Sequence, residues 1–141
     1  MLSLTFIATM ILCAAKAQNQ DSLKKTVADT TIYTSAEKVP EFPGGNSGFL
    51  MYISKNLRYS RDARAVQKQG KVTVIFVVEK DGSVSNVRVL RSLFPSLDAE
   101  AIRVVSNSPK WKPGTQNGIP VRVAFSVPIT FNISTRVYFS N

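Results

Sequence analysis

Four stretches of this chain carry a clear hydrophobic pattern, two at the period of a strand and two at that of a helix. Within "GKVTVIFVVEKDGSVSNVRVLRS", Val72, Val74, Phe76 and Val78 share one face of a strand, because strand side chains alternate with period two. Lys71, Thr73 and Glu79 fall on the other face. Asp81-Gly82 marks a hairpin, since tight turns need residues that tolerate positive φ. The return strand then covers about 84–91, with Val87 and Val89 facing alike. The stretch "IPVRVAFSVPITF" alternates in the same way but holds Pro120 and Pro128. Proline has no N–H to give a ladder, so this last strand is expected at a sheet edge.

The helical patterns are shorter. After the turn-rich "PEFPGGNSG", Phe49, Leu50, Ile53 and Leu57 recur at helical spacing and predict a helix over about 47–57, with Asn46 or Ser47 as its N-cap. In "PSLDAEAIRVVSNSP", Leu97, Ala101, Val104 and Val105 form one apolar stripe that Pro109 ends. Ser96 is the expected cap, and Asp98 and Glu100 sit in the first turn, where carboxylates favour the positive end of the helix dipole. The order is helix, strand, strand, helix, strand. If the sheet is fully antiparallel, the last strand pairs beside the first. The expected fold is a two-layer α+β domain: a three-stranded antiparallel sheet in the order 2-1-3, one face packed against two helices.

The N-terminus suggests a compartment. Residues 2–15 are a short apolar run, followed by Ala15-Lys16-Ala17 and a polar stretch, as in a secretory signal peptide cut between Ala17 and Gln18. No Lys or Arg precedes that run, so a retained anchor behind an upstream start is the alternative. The expected organisation is a signal peptide at 1–17, a flexible polar lead-in at 18–38, the folded domain at 39–133 and a tail at 134–141. The expected location is the periplasm, or the periplasmic side of the inner membrane if the anchor stays.

Composition then narrows the chemistry. The chain has 141 residues, one Cys and no His. Removal of 1–17 leaves neither residue, which excludes disulfides and thiolate chemistry and removes the usual acid–base side chain near neutral pH. Asp98 and Glu100, one residue apart on a helix, do not face each other. Glu79 and Asp81 belong to a solvated hairpin tip, and no glycine loop or carboxylate cluster has phosphate- or calcium-binding spacing. The expectation is a non-enzyme with no catalytic residue, no metal and no cofactor.

Charge is the remaining signal. With the signal removed, 17 basic residues stand against 9 acidic ones. Lys55, Arg58, Arg61, Arg64, Lys68 and Lys71 form a basic stretch with Asp62 as its one counter-charge. Tyr59 alone interrupts it, which argues against base stacking and hence against nucleic acid. Acidic proteins, anionic lipid or wall polymer are the partners such a surface would meet outside the cytoplasm. Trp111, between Lys110 and Lys112, reads as a core or cap residue, with a partner contact as the lesser use.

Taken in order, "GKVTVIFVVEKDGSVSNVRVLRS", "LDAEAIRVV" and "PKWKPGTQNGIPVRVAFSVPITF" resemble the C-terminal domain of TonB, the periplasmic energy transducer of Gram-negative bacteria. "VPEFPGG" is similar to the lead-in of one branch of that family, and the resemblance covers about 39–133. It implies a module that binds the N-terminal plug segment of outer-membrane TonB-dependent receptors, serving nutrient transport across that membrane. In the family the receptor segment adds as a strand to the last strand, the mode in which backbone bonds give affinity and alternating pockets give selectivity. Here the matching residues are Val121, Arg122, Val123, Ala124, Phe125, Ser126 and Val127, with Arg58, Tyr59 and Trp111 as accessory contacts and Arg122 as a rim charge. The same edge would allow two copies to pair. Two departures stand out: Tyr59 precedes Ser60 where the family commonly has Tyr-Pro, and the chain lacks the histidine of a transducer's anchor. Its lead-in, at about 3.5 Å per residue, reaches only about 70 Å. A binding module is therefore expected, rather than a force transmitter in contact with the motor proteins. The other readings are a membrane-anchored transducer with a mis-set start and a wall- or surface-binding protein using its basic face.

Overall fold

A computed structural model describes residues 30–133. The expected signal peptide, its cut at Ala17 and Gln18, most of the lead-in and the tail at 134–141 lie outside the described residues. The elements are β1 (Ile32–Tyr33), α1 (Gly45–Asn56), α2 (Arg61–Ala65), β2 (Gly70–Val78), β3 (Val84–Arg91), α3 (Pro95–Ser106), β4 (Thr115–Gln116), β5 (Ile119–Pro120) and β6 (Arg122–Phe131).

The main sheet has the order β1-β6-β2-β3. Its three long strands are antiparallel and stand as the alternation predicts, with the first in the centre. The pairing of β2 with β6 runs from Gly70 opposite Phe131 to Val78 opposite Val123 without a register shift. Val72, Val74, Phe76 and Val78 are buried on one face, together with Val127, Ile129 and Phe131 from β6. Against that face pack Phe49 and Ile53 of α1 and the stripe Leu97, Ala101, Val104 and Val105 of α3. An amphipathic helix gains its stability in this way, by burying one stripe.

The sheet is larger than expected. β1 pairs in parallel with the start of β6, Ile32 opposite Arg122 and Tyr33 opposite Val123. The lead-in is further tied down by backbone bonds between Lys38 and Thr115, and just beyond it Glu41 bonds to Lys112. Order thus begins before residue 39, which corrects the flexible lead-in over its described part. α2, which the polar stretch 58–71 did not announce, is a short third helix. The expected last strand also divides: Ile119–Pro120 pairs with Thr115–Gln116 in a separate hairpin, and β6 begins only at Arg122. The cause is Asn117-Gly118, whose φ values of 51° and 74° suit a primed two-residue turn.

The helix caps differ from the expected ones. α1 starts after Gly44, whose φ of 81° suits glycine, and neither Asn46 nor Ser47 caps it. α3 begins with Pro95 in its first turn after Phe94, and Ser96 is not the cap. Asp98 reaches back instead and accepts the N–H groups of Leu93 and Phe94. Ser96 donates its hydroxyl to Asp62 and so ties α3 to α2.

Trp111 fills the core, 4% exposed, within about 6 Å of the rings of Phe42, Phe49, Phe76 and Phe125. Its Nε1–H donates to Ser108 Oγ. Its backbone holds the hairpin tip, because Trp111 N–H donates to Gly82 C=O at 2.8 Å. A Cβ on Gly82 would lie 2.0 Å from the Trp111 carbonyl oxygen, and φ there is 87°. Trp111→Ala should therefore cost roughly 3–5 kcal/mol, as should Phe76→Ala, through lost burial and an incompletely collapsed cavity. Gly82→Ala should lower the melting temperature as well, although it adds only a methyl group. Chemical denaturation of the three variants checks this, and a Gly82→Ala variant as stable as the parent would contradict the close contact.

Candidate functional site

A sheet with two edges can receive a partner strand at either, unless one is blunted. On the β3 side, Asn86 has a φ of 50° and the register with β2 shifts twice. Arg88 and Arg91 are exposed along it. Such bulges twist an edge away from pairing. On the β6 side the ladder is regular, and among the described residues only β1 lies along it, at Arg122 and Val123. The usable edge is therefore the outer side of β6 from Ala124 onward.

Which backbone groups face outward follows from the hairpin. Glu79 donates its N–H to Ser83 at 2.8 Å, so odd-numbered residues of β2 turn toward β3 and even-numbered ones toward β6. Because the β2–β6 register is unbroken, odd-numbered residues of β6 bond to β2 and even-numbered ones face outward. Pro128 is even-numbered, and its missing N–H costs the ladder nothing there. Ala124, Ser126 and Thr130 present outward N–H groups.

The side chains sort by the same parity. Val123 and Val127 are buried, and Phe125 packs edge-on against Phe76, with centroids 6.1 Å apart. Val121 lies just before β6 and gives its N–H to Gly114 C=O. Arg122 is not a loose rim charge. Its guanidinium grips Glu79 across the strands, Nε to Oε2 at 2.7 Å and Nη2 to Oε1 at 3.0 Å, and Ser85 Oγ also donates to Glu79. Glu79 is thus no solvated tip residue, as its sequence position suggested. The Arg122 hydrogen bond holds its carboxyl below the usual glutamate range, against the opposing effect of burial.

Beside the C-terminal half of this edge lies a groove of about 470 Å³. Consecutive residues 128–133 line one wall and no residue of β2 does, which places the groove along the outer side of β6. Leu50, Ile53 and Leu57 form the opposite wall. Leu50 is 60% exposed, off the stripe that α1 buries. Tyr59 and Arg64 also line the groove. The Tyr59 ring stands edge-on to Phe131 at 5.8 Å, and the Arg64 guanidinium lies over the same ring at 5.6 Å.

Of the expected accessory contacts, Tyr59 alone reaches this groove. Arg58 is exposed and gives its backbone N–H to Glu100, while the buried Trp111 has no ring face to offer. The sequence does not mark the groove wall, because Leu50 shares the helical spacing of the core residues Phe49 and Ile53, although Leu50 and Met51 lie off that stripe and are exposed. A short run of strand formers, Thr31-Ile32-Tyr33, was the available signal for β1.

Comparison with known proteins finds the following similarities. The family model described as Gram-negative bacterial TonB protein C-terminal matches residues 55–133. Protein TonB of Pasteurella multocida (strain Pm70) is 37% identical over 83 residues, 58% of this chain. The chain spans 31% of that protein's length. Among solved structures, the Helicobacter pylori TonB-CTD (residues 194-285) aligns at 25% identity and a TM-score of 0.44, covering 60% of this chain and 92% of that one. The Pseudomonas aeruginosa TonB CTD aligns at 26% identity and a TM-score of 0.45, covering 57% and 81%.

The Glu79–Arg122 pair has a consequence in pH. A carboxyl whose folded pKa is depressed contributes stability that is full above its unfolded pKa, about 4.3. That stability is lost as pH falls through the lower folded value. Arg122→Ala should therefore destabilise the domain at pH 7 by more than at pH 3, and thermal melts at the two values check it. An equal loss at both would mean that the pair contributes nothing through ionisation.

Proposed function

The chain belongs to the family of Gram-negative TonB C-terminal domains, and we propose that it is an envelope binding module that receives an extended segment of an outer-membrane receptor on the outer edge of β6. The regular, outward-facing ladder at Ala124, Ser126 and Thr130 is the observation that carries this reading. A strand added there extends the sheet by backbone bonds, which need no particular sequence, and Val121, Arg122 and Val123 lie at the end that β1 already covers. The role is interaction rather than catalysis, in the service of transport across the outer membrane. The receptor's plug segment is the partner we assign, and the periplasm is the compartment where the two would meet. Pairing of two copies through the same edge is the competing use.

Hydrogen exchange tests the reading directly. A synthetic peptide from a receptor plug segment should slow exchange at Ala124, Ser126 and Thr130 and leave the hairpin around Gly82 unchanged. Ser126→Pro should remove binding with little loss of fold, because its N–H points away from β2. Proline at Val127, whose N–H serves the ladder with β2, should instead unfold the domain. Unchanged exchange along β6 with a panel of such peptides, or normal binding by Ser126→Pro, would sink the proposal. Protection that appears only as protein concentration rises would assign the edge to self-pairing.

A further inference from the structure

From the sheet face that turns away from the helices, we infer a second contact of this domain: the cations of that face dock it on the anionic phospholipid headgroups of a membrane surface. The inference does not rest on strand addition. An added strand uses the edge of β6, whereas this contact uses the flat of the sheet, so both can be made at once.

Register decides which residues stand there. Val72, Val74, Phe76 and Val78 turn to the helices, so Lys71, Thr73 and Ile75 turn the other way. Residues directly opposite in a sheet share a face, which adds Arg91 beside Thr73 and Arg88 beside Ile75. From β6 the same rule adds Thr130, Pro128 and Ser126, opposite Lys71, Thr73 and Ile75. Lys71, Arg88 and Arg91 are exposed, and none of them joins an ion pair among the described residues. The register gives this face one acid, Glu79, and Arg122 holds that carboxylate at the hairpin end, away from Lys71. Three cations on neighbouring rows with no carboxylate between them, in a chain of net charge +9, are complementary to a negative surface.

The rest of the face selects lipid over polymer. Between the cations stand short hydroxyls, Thr73, Ser126 and Thr130, and apolar side chains, Ile75 and Pro128. Leu90, in the bulge between Arg91 and Val89, is 60% exposed. Headgroup phosphates accept from the cations and hydroxyls, and the boundary beneath them takes apolar side chains. No aromatic residue is given to the face by the register, so a sugar ring or a base finds no ring to stack on.

Flotation of the full chain with vesicles tests this. Binding to phosphatidylcholine vesicles with about 30% phosphatidylglycerol should exceed binding to phosphatidylcholine alone, and about 0.5 M salt should remove the excess. Reading the excess keeps the apolar run 2–15, which both vesicles would receive, out of the comparison. Arg88→Gln with Arg91→Gln should weaken binding to the mixed vesicles about 25-fold, at about fivefold per cation, with the melting temperature unchanged. Lys55→Gln with Arg61→Gln, the same charge change in the helix layer, should weaken it no more than about twofold. With a paramagnetic headgroup in the vesicles, amide signals of Thr73, Ile75 and Arg88 should broaden before those of α1 and α3. Equal loss in the two double variants, equal binding to both vesicles, or broadening centred on the helices overturns the inference. If isolated wall polymer is bound more tightly than the vesicles, and Arg88→Gln with Arg91→Gln removes that preference, the face belongs to a polymer and the inference falls. If neither surface is bound, these cations only guard the β3 edge, and it falls as well. None of these outcomes bears on strand addition, which is read at the outward amides of β6.

Discussion

The pairing of β2 with β6 is the constraint from which the rest of the molecule follows. It holds register from Gly70 opposite Phe131 to Val78 opposite Val123. A one-residue slip would turn Val127, Ile129 and Phe131 to the open face, so burial and ladder enforce each other. The same register carries the parity set by the Glu79–Ser83 bond across to β6, and thereby decides which amides look outward. It also places Arg122 opposite Glu79, where a guanidinium and a carboxylate meet with fork geometry. Structural ladder and candidate site are two sides of one strand.

The core holds that strand in place. Trp111 reaches Phe76 on β2, Phe125 on β6 and Phe49 on α1, while its backbone holds Gly82 at the hairpin tip. One residue therefore fixes the hairpin, the helix and the edge strand relative to each other. Its role explains why a basic connection, with lysines on both sides, contains the chain's single tryptophan: the flanking Lys110 and Lys112 are exposed while the indole between them is buried.

The long elements were legible because their patterns have a period and their faces a single environment. Val72, Val74, Phe76 and Val78 all turn to the helices, and Leu97, Ala101, Val104 and Val105 all turn to the sheet. The misreadings share a different cause. β1 is two residues long, too short for periodicity, and exists through its pairing with a strand some ninety positions later. The caps of α1 and α3 depend on backbone shape and on Asp98 reaching back, which composition at the cap position does not reveal. Asn117-Gly118 was readable as a turn, and the alternation of the residues around it hid the break between β5 and β6. At the site, the strand and its prolines were visible, whereas the groove was not, because it arises where α1 passes β6.

As a candidate ligand site, the edge alone would be a modest one. From Ala124 to Thr130 it offers three N–H donors and four carbonyl acceptors, with β1 covering one end. At about 1 kcal/mol net per hydrogen bond, a complete ladder contributes roughly 7 kcal/mol. Association itself costs about 4–15 kcal/mol, so the ladder by itself leaves little or nothing. An apolar side chain buried in the groove adds about 1.5–3 kcal/mol, enough to tip the balance once two are placed. Affinity at such a site would therefore have to come from the groove as much as from the backbone. Pro128 withholds one donor in the middle of the edge, and a proline on an edge strand guards against indiscriminate strand pairing.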